Sequence, residues 1–167
     1  MSNIPRPNGD PRTIHKIGCL MTSYAMVIAK SAPTIIIQNF NPGTYTEALK
    51  ANNALGKYGD MPDGSTAIRI ATGLTNVDVQ GEELMPNDSY DYKLSEISKY
   101  LANGYDVIIR VKSEASAAIQ GGGNSHYVVV TGISDGEIYI ADPGYDTQQF
   151  SKKYINQGLT YIIAIKF

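Results

Sequence analysis

The chain has one cysteine, two histidines and no tryptophan among its 167 residues. A single cysteine excludes an internal disulfide and any cysteine-rich zinc site. The histidines, His15 and His126, lie far apart and show no metal-ligand spacing, so no metal or cofactor is expected. Charge is also scarce, at 18% of residues with a formal net charge of −2. No basic block of the kind that tracks phosphates is present, which argues against a nucleic-acid partner. No apolar run approaches the ~18 residues of a membrane helix. The stretch Met1-Ser2-Asn3-Ile4-Pro5-Arg6-Pro7 lacks the apolar core of a secretory signal. The expectation is cytoplasmic synthesis without export by a standard signal peptide, with a phage-borne protein or a non-standard delivery route left open.

What is present suits a folded chain. Apolar residues make up 43%, enough for one domain over 1–167 with a sizeable core. Residues 1–13, rich in proline, glycine and polar groups, read as an irregular arm. Met21, Tyr24, Ala25 and Ile28 recur at helical spacing and predict a helix from Leu20 to Lys30, apolar on most sides. Pro33 to Phe40 contains Ile35-Ile36-Ile37, strand or loop. Thr44-Tyr45-Thr46-Glu47 reads as a capping box opening a helix to Leu55. Asp63-Gly64-Ser65-Thr66 caps a short helix from Ala67 to Thr72. Asn76 to Gln80 alternates as a strand does, and Lys93 to Ala102 carries Leu94, Ile97 and Leu101 on one helix face. Then the pattern turns β-branched: Asp106–Val111, Tyr127–Thr131, Glu137–Ala141 and Thr160–Phe167 read as strands. Helices first and an antiparallel sheet afterwards predict an α+β fold.

Cys19 stands out by its place. It follows Gly18 and opens the first helix, where the positive end of the helix dipole favours thiolate over thiol. A small buried hydrophobe is the other reading of a lone cysteine. The second chemical feature is the hairpin from Ser125 to Gly144. His126 begins a strand after the flexible Gly121-Gly122-Gly123, and Asp142-Pro143 ends the returning one. A three-residue turn at Ser134-Asp135-Gly136 would set Asp142 opposite Val128 and make it a diagonal neighbour of His126 on one face. A two-residue turn would put the two on opposite faces. A thiol, an imidazole and a carboxylate in this order suit a nucleophile, a base and an orienting group.

This order resembles the papain-like cysteine peptidases, and more closely the double-glycine peptidase-like group, the bacteriocin-processing family with its bacterial and phage relatives. The residues that carry the resemblance are Asp10-Pro11-Arg12, Thr13-Ile14, Gly18-Cys19-Leu20-Met21-Thr22-Ser23-Tyr24-Ala25-Met26, Asn41-Pro42-Gly43-Thr44, His126-Tyr127-Val128-Val129-Val130-Thr131-Gly132 and Ile140-Ala141-Asp142-Pro143. They span most of the chain. The resemblance implies a papain-like fold with N-terminal helices packed on a C-terminal antiparallel sheet. It implies Cys19 as nucleophile, His126 as general base and Asp142 as its orienter. The family's usual oxyanion glutamine is replaced by Asn8, one methylene shorter, which leaves Asn8 as a candidate donor beside the backbone N–H of Cys19. The segment before the cysteine is shortened and its usual tryptophan is missing. His15 reads as a loop residue, because the family base comes from the later strand. The implied partner is a peptide or a peptidoglycan peptide. The implied activity is amide hydrolysis; a cell-wall crosslink hydrolase and an inactive binding or structural module on the same scaffold are the alternatives.

Overall fold

The β-branched second half of the chain makes a six-stranded sheet in the order β3-β8-β4-β5-β6-β7. Its strands are β3 (Asp78–Glu83), β4 (Asp106–Val111), β5 (His126–Ser134), β6 (Glu137–Ala141), β7 (Gln149–Phe150) and β8 (Leu159–Lys166). Strand β4 pairs antiparallel with β8 and β5, β5 with β6, and β6 with β7. The computed structural model describes residues 3–4, 12–13, 18–56, 61–111, 126–143, 149–150 and 158–167. They fall into two compact units, 1–78 with Phe167 and 79–166. The fold is α+β, helical first and then an antiparallel sheet, as the sequence pattern predicts.

The first unit holds helices α1 (Cys19–Ser31), α2 (Pro42–Ala51) and α3 (Gly64–Thr72). Met21, Tyr24, Ala25 and Ile28 of α1 are buried, as their spacing predicts, and so are Ser23 and Val27. Each fully buried aliphatic of this kind contributes about 1.5–3 kcal/mol of burial energy before entropy is counted. Helix α2 begins two residues before the predicted capping box. Asn41 is its N-cap, accepting from the N–H groups of Gly43 and Thr44, while the Thr44 hydroxyl accepts from the Asn41 N–H at 3.0 Å. Pro42 follows at the first helical position, where its missing N–H costs nothing. The helix stops at Ala51, short of Leu55. Asn53 takes φ 52°, and Asn53 and Ala54 return their N–H groups to Lys50 and Leu49 at 2.9 Å each, closing the end. The Ile35-Ile36-Ile37 patch is loop: the Ile36 N–H bonds the Ala71 carbonyl at 2.9 Å. Helix α3 starts where Asp63 accepts from the Thr66 N–H. In the N-terminal arm, β1 (Asn3–Ile4) and β2 (Arg12–Thr13) form an antiparallel pair, so the arm is not wholly irregular.

In the second unit, α4 (Tyr90–Ala102) lies against the sheet. Ile97 is fully buried with Val107, Ile109, Val128, Val130 and Ile140, and Leu94 and Leu101 flank it. Ser89 caps α4 by accepting from the Tyr92 N–H, which starts it earlier than the apolar spacing alone predicts. The Tyr90 hydroxyl donates to the Gly136 carbonyl and ties α4 to the β5–β6 turn.

Strand β3 starts two residues later than predicted and ends three later, taking in Gly81-Glu82-Glu83. Two acids suit an edge strand, which must discourage pairing with another chain. The glycine has a packing reason. A Cβ at Gly81 would strike the Tyr161 hydroxyl and come within 2.9 Å of its Cζ. Gly81→Ala is therefore expected to destabilise the fold by about 1–3 kcal/mol through overpacking. Tyr161→Phe removes the nearest clashing atom, so the double variant should recover part of the loss in urea denaturation. Equal losses with and without Tyr161→Phe would show that the clash is not the cause.

Candidate active site

A buried imidazole–carboxylate pair is built into the β5–β6 hairpin. His126 Nε2 lies 2.9 Å from Asp142 Oδ1, and their side chains are 9% and 1% exposed. A carboxylate oxygen can only accept here, so Nε2 carries the proton and the bond fixes the tautomer. That leaves Nδ1 as the basic nitrogen of a neutral ring. A carboxylate this far from water must be hydrogen-bonded to remain tolerable, and the ring N–H meets that need.

The local sequence brings the pair together in an unexpected way. The turn has two residues, Asp135 and Gly136, not three, and Ser134 pairs with Glu137. Both turn residues have positive φ, 53° and 75°, the signature of a type I′ turn. Continued unbroken, that register would put His126 and Asp142 on opposite faces. Instead the ladder shifts between Val130 and Gly132, with Thr131 as the extra residue of a bulge. Beyond it Val130 pairs with Ile140 and Val129 with Ala141. One step further, Asp142 stands across from Val128, and His126 is its diagonal neighbour on the same face. The expected juxtaposition of His126 and Asp142 holds, but the turn reading that produced it is corrected.

Cys19 begins α1 as expected. It is partly exposed, and Gly18 precedes it with no side-chain cap. The first turn carries no acidic residue, and the Thr22 N–H is bonded to the Gly18 carbonyl at 2.7 Å. A thiol there faces the positive end of the helix dipole with no carboxylate on that turn to offset it. Asn8, His15 and the Gly121-Gly122-Gly123 run lie outside the described residues. Among the described residues, no group of three His, Cys, Asp or Glu side chains converges to hold a metal ion, and no helix is long and apolar enough to cross a membrane. The structural feature that sequence reading missed is the Thr131 bulge. Its signal was the step from Val130 to Ile133: both are inward-facing, and three positions apart they cannot share a face in a regular strand.

The chain matches the model of the Peptidase_C39 like family over residues 3–162. It is also similar to a solved structure from Bacillus anthracis described as a "putative C39-like peptidase". That likeness has a TM-score of 0.56 at 14% identity and covers 100% of this chain and 99% of the other, so it speaks to the fold. None of the curated proteins matches.

Proposed function

The chain belongs to the Peptidase_C39 like family, and we propose that it engages peptides at the His126–Asp142 end of its sheet and, with Cys19 as nucleophile, hydrolyses an amide bond. The observation that carries this reading is the 2.9 Å His126–Asp142 contact, which presents Nδ1 as the base. In the proposed cycle His126 takes the Cys19 proton, and the thiolate adds to the scissile carbonyl. The imidazolium then returns its proton to the leaving amine, and water releases the acyl group by the same base. Asp142 stabilises the charged ring and holds its orientation. The backbone N–H of Cys19 and the Asn8 amide are the proposed donors to the oxyanion.

A second reading, a binding or structural module on the same scaffold, rests on the family match and the fold and needs less. Hydrolysis further requires that Cys19 meet the imidazole and that an oxyanion donor stand ready. The contact described at the imidazole is its bond to the aspartate, and the usual oxyanion glutamine is replaced by Asn8. On that count the module is the better supported of the two, and the hydrolase is the one with a mechanism to test. The test is to incubate wild-type and Cys19→Ala protein with a peptide library and with purified peptidoglycan, side by side. Cysteine-dependent cleavage of peptides but not walls supports a peptidase; the reverse supports a crosslink hydrolase. If neither is cut and an electrophilic peptide probe leaves Cys19 unlabelled, the module reading replaces the enzyme.

A further inference from the structure

A half-buried guanidinium beside the proposed catalytic strand has a fixed orientation and no anionic partner among the described residues. Arg110 on β4 pairs across the sheet with Tyr127 of β5 and Tyr161 of β8. The ladder to β8 shifts between Arg110 and Val111, with Thr160 as its extra residue. That bulge turns the Thr160 side chain onto the arginine. Arg110 Nε–H donates to Thr160 Oγ1 at 2.9 Å, and the Thr160 hydroxyl donates back to the Arg110 carbonyl at 3.4 Å. The guanidinium carbon lies 5.2 Å from the centre of the Tyr161 ring, within stacking range. Gly81 in turn leaves the room that ring occupies.

The ion pairs among the described residues include Lys50–Glu47, Lys99–Glu96 and His126–Asp142, and Arg110 is in none of these. Partial burial of an uncompensated charge costs desolvation energy. Here the cost is accompanied by an orientation fixed at Nε and at the ring, with the Nη1 and Nη2 donors uncommitted among the described residues. Those paired N–H groups form the fork that matches a carboxylate. Val111, the next residue, pairs with His126, so Arg110 stands at the same end of the sheet with its side chain on the opposite face, where a peptide crossing that end can reach it.

We propose that Arg110 is a carboxylate-binding residue that recognises an acidic side chain or a free C-terminus of the peptide engaged at this end of the sheet. The peptide as ligand rests on the proposed function, whereas the carboxylate receptor rests on Arg110, Thr160 and Tyr161 alone.

Two measurements on the full-length Cys19→Ala protein, which binds without turnover, separate these. In the first, acetate is titrated while the arginine Nε–H resonances are followed. The Arg110 signal is expected to shift and saturate, and a shift that never saturates overturns the receptor whatever peptides do. In the second, labelled peptides carrying one glutamate at each position in turn, with acid or amide C-termini, are compared with their glutamine counterparts by anisotropy. At one position, or at the terminus, the carboxylate is expected to bind about tenfold tighter, as a charge-assisted pair does. The preference should vanish in Arg110→Gln and survive in part in Arg110→Lys, which keeps the charge without the fork. A preference unchanged in a folded Arg110→Gln variant, or equal binding of acid and amide forms everywhere, overturns carboxylate recognition on the peptide. Saturation by acetate with no peptide bound at all leaves the receptor standing and removes the peptide reading.

Discussion

Cys19→Ala is expected to remove all hydrolase activity while leaving the fold intact. The argument begins at the first turn of α1. Cys19 stands directly after an uncapped glycine, on a turn with no acidic residue, so the helix dipole acts on the sulfur unopposed by that turn. An alanine methyl has no electrons to form the acyl bond and no route around it. Loss of the nucleophile in a unit that includes its base typically costs about 10⁴–10⁶-fold in kcat, which takes cleavage below detection. Stability should move by less than about 1 kcal/mol, because Cys19 is only partly buried and alanine is the better helix former. The measurement is kcat/KM for any cleaved substrate beside a thermal unfolding curve. A companion check uses iodoacetamide at pH 7, which should alkylate Cys19 faster than a free model thiol. Activity surviving in folded Cys19→Ala protein would sink the mechanism outright.

The positions of the candidate residues at their elements were more legible than the register that relates them. Residue types at element starts marked most of them: a lone cysteine after a glycine, a histidine opening a β-branched run, an aspartate before proline. Those cues are local. The strand β4 and the returning strand β6 were also legible, at Asp106–Val111 and Glu137–Ala141, because runs rich in Val, Ile and Tyr between polar turns have few alternatives. The hairpin register was not local. The Asp135-Gly136 pair is itself the strongest two-residue turn signal, since both residues accept positive φ. Taken alone it would have separated His126 from Asp142. The Thr131 bulge supplies the compensating residue, so a three-residue turn without a bulge and a two-residue turn with one give the same offset. Only the burial pattern distinguishes them: Val128, Val130 and Ile133 all face the core.

Helix ends show the same division. The Thr44-Tyr45-Thr46-Glu47 spacing places the cap at Thr44, three residues after Asn41. In the structure the two act together, Asn41 as cap and Thr44 as its reciprocal partner. The early stop at Ala51 depends on Asn53 entering the left-handed region, which asparagine allows but does not demand. The glycine within β3 answers to Tyr161, 80 residues away in sequence, whose ring leaves no room for a Cβ at Gly81. Contacts of that span leave no trace in local propensity.

The second large effect is expected at the imidazole, and it tests the pair as a unit. His126→Ala should lower kcat/KM by about 10⁴-fold, since the thiol loses its base and the leaving amine its proton donor. Asp142→Ala should cost less, about 10²-fold, because a ring that loses its anchor is misplaced but still present. The structural basis is the 2.9 Å bond between a nearly buried ring and a fully buried carboxylate. Removing the carboxylate leaves the Nε2–H without that acceptor, so Asp142→Ala should also unfold at lower urea, by about 1–3 kcal/mol. A purely structural aspartate would do that as well, so the deciding readouts lie elsewhere. The exchange-protected Nε2–H proton resonance of His126 should be present in the wild type and absent in Asp142→Ala. In the double variant the two losses should not add: Asp142→Ala should cost almost no further activity once His126 is alanine, because its proposed action passes through the ring. If Asp142→Ala still lowers the rate a hundredfold in the His126→Ala background, the carboxylate acts on the reaction by another path, and its part as the group that orients the imidazole is wrong.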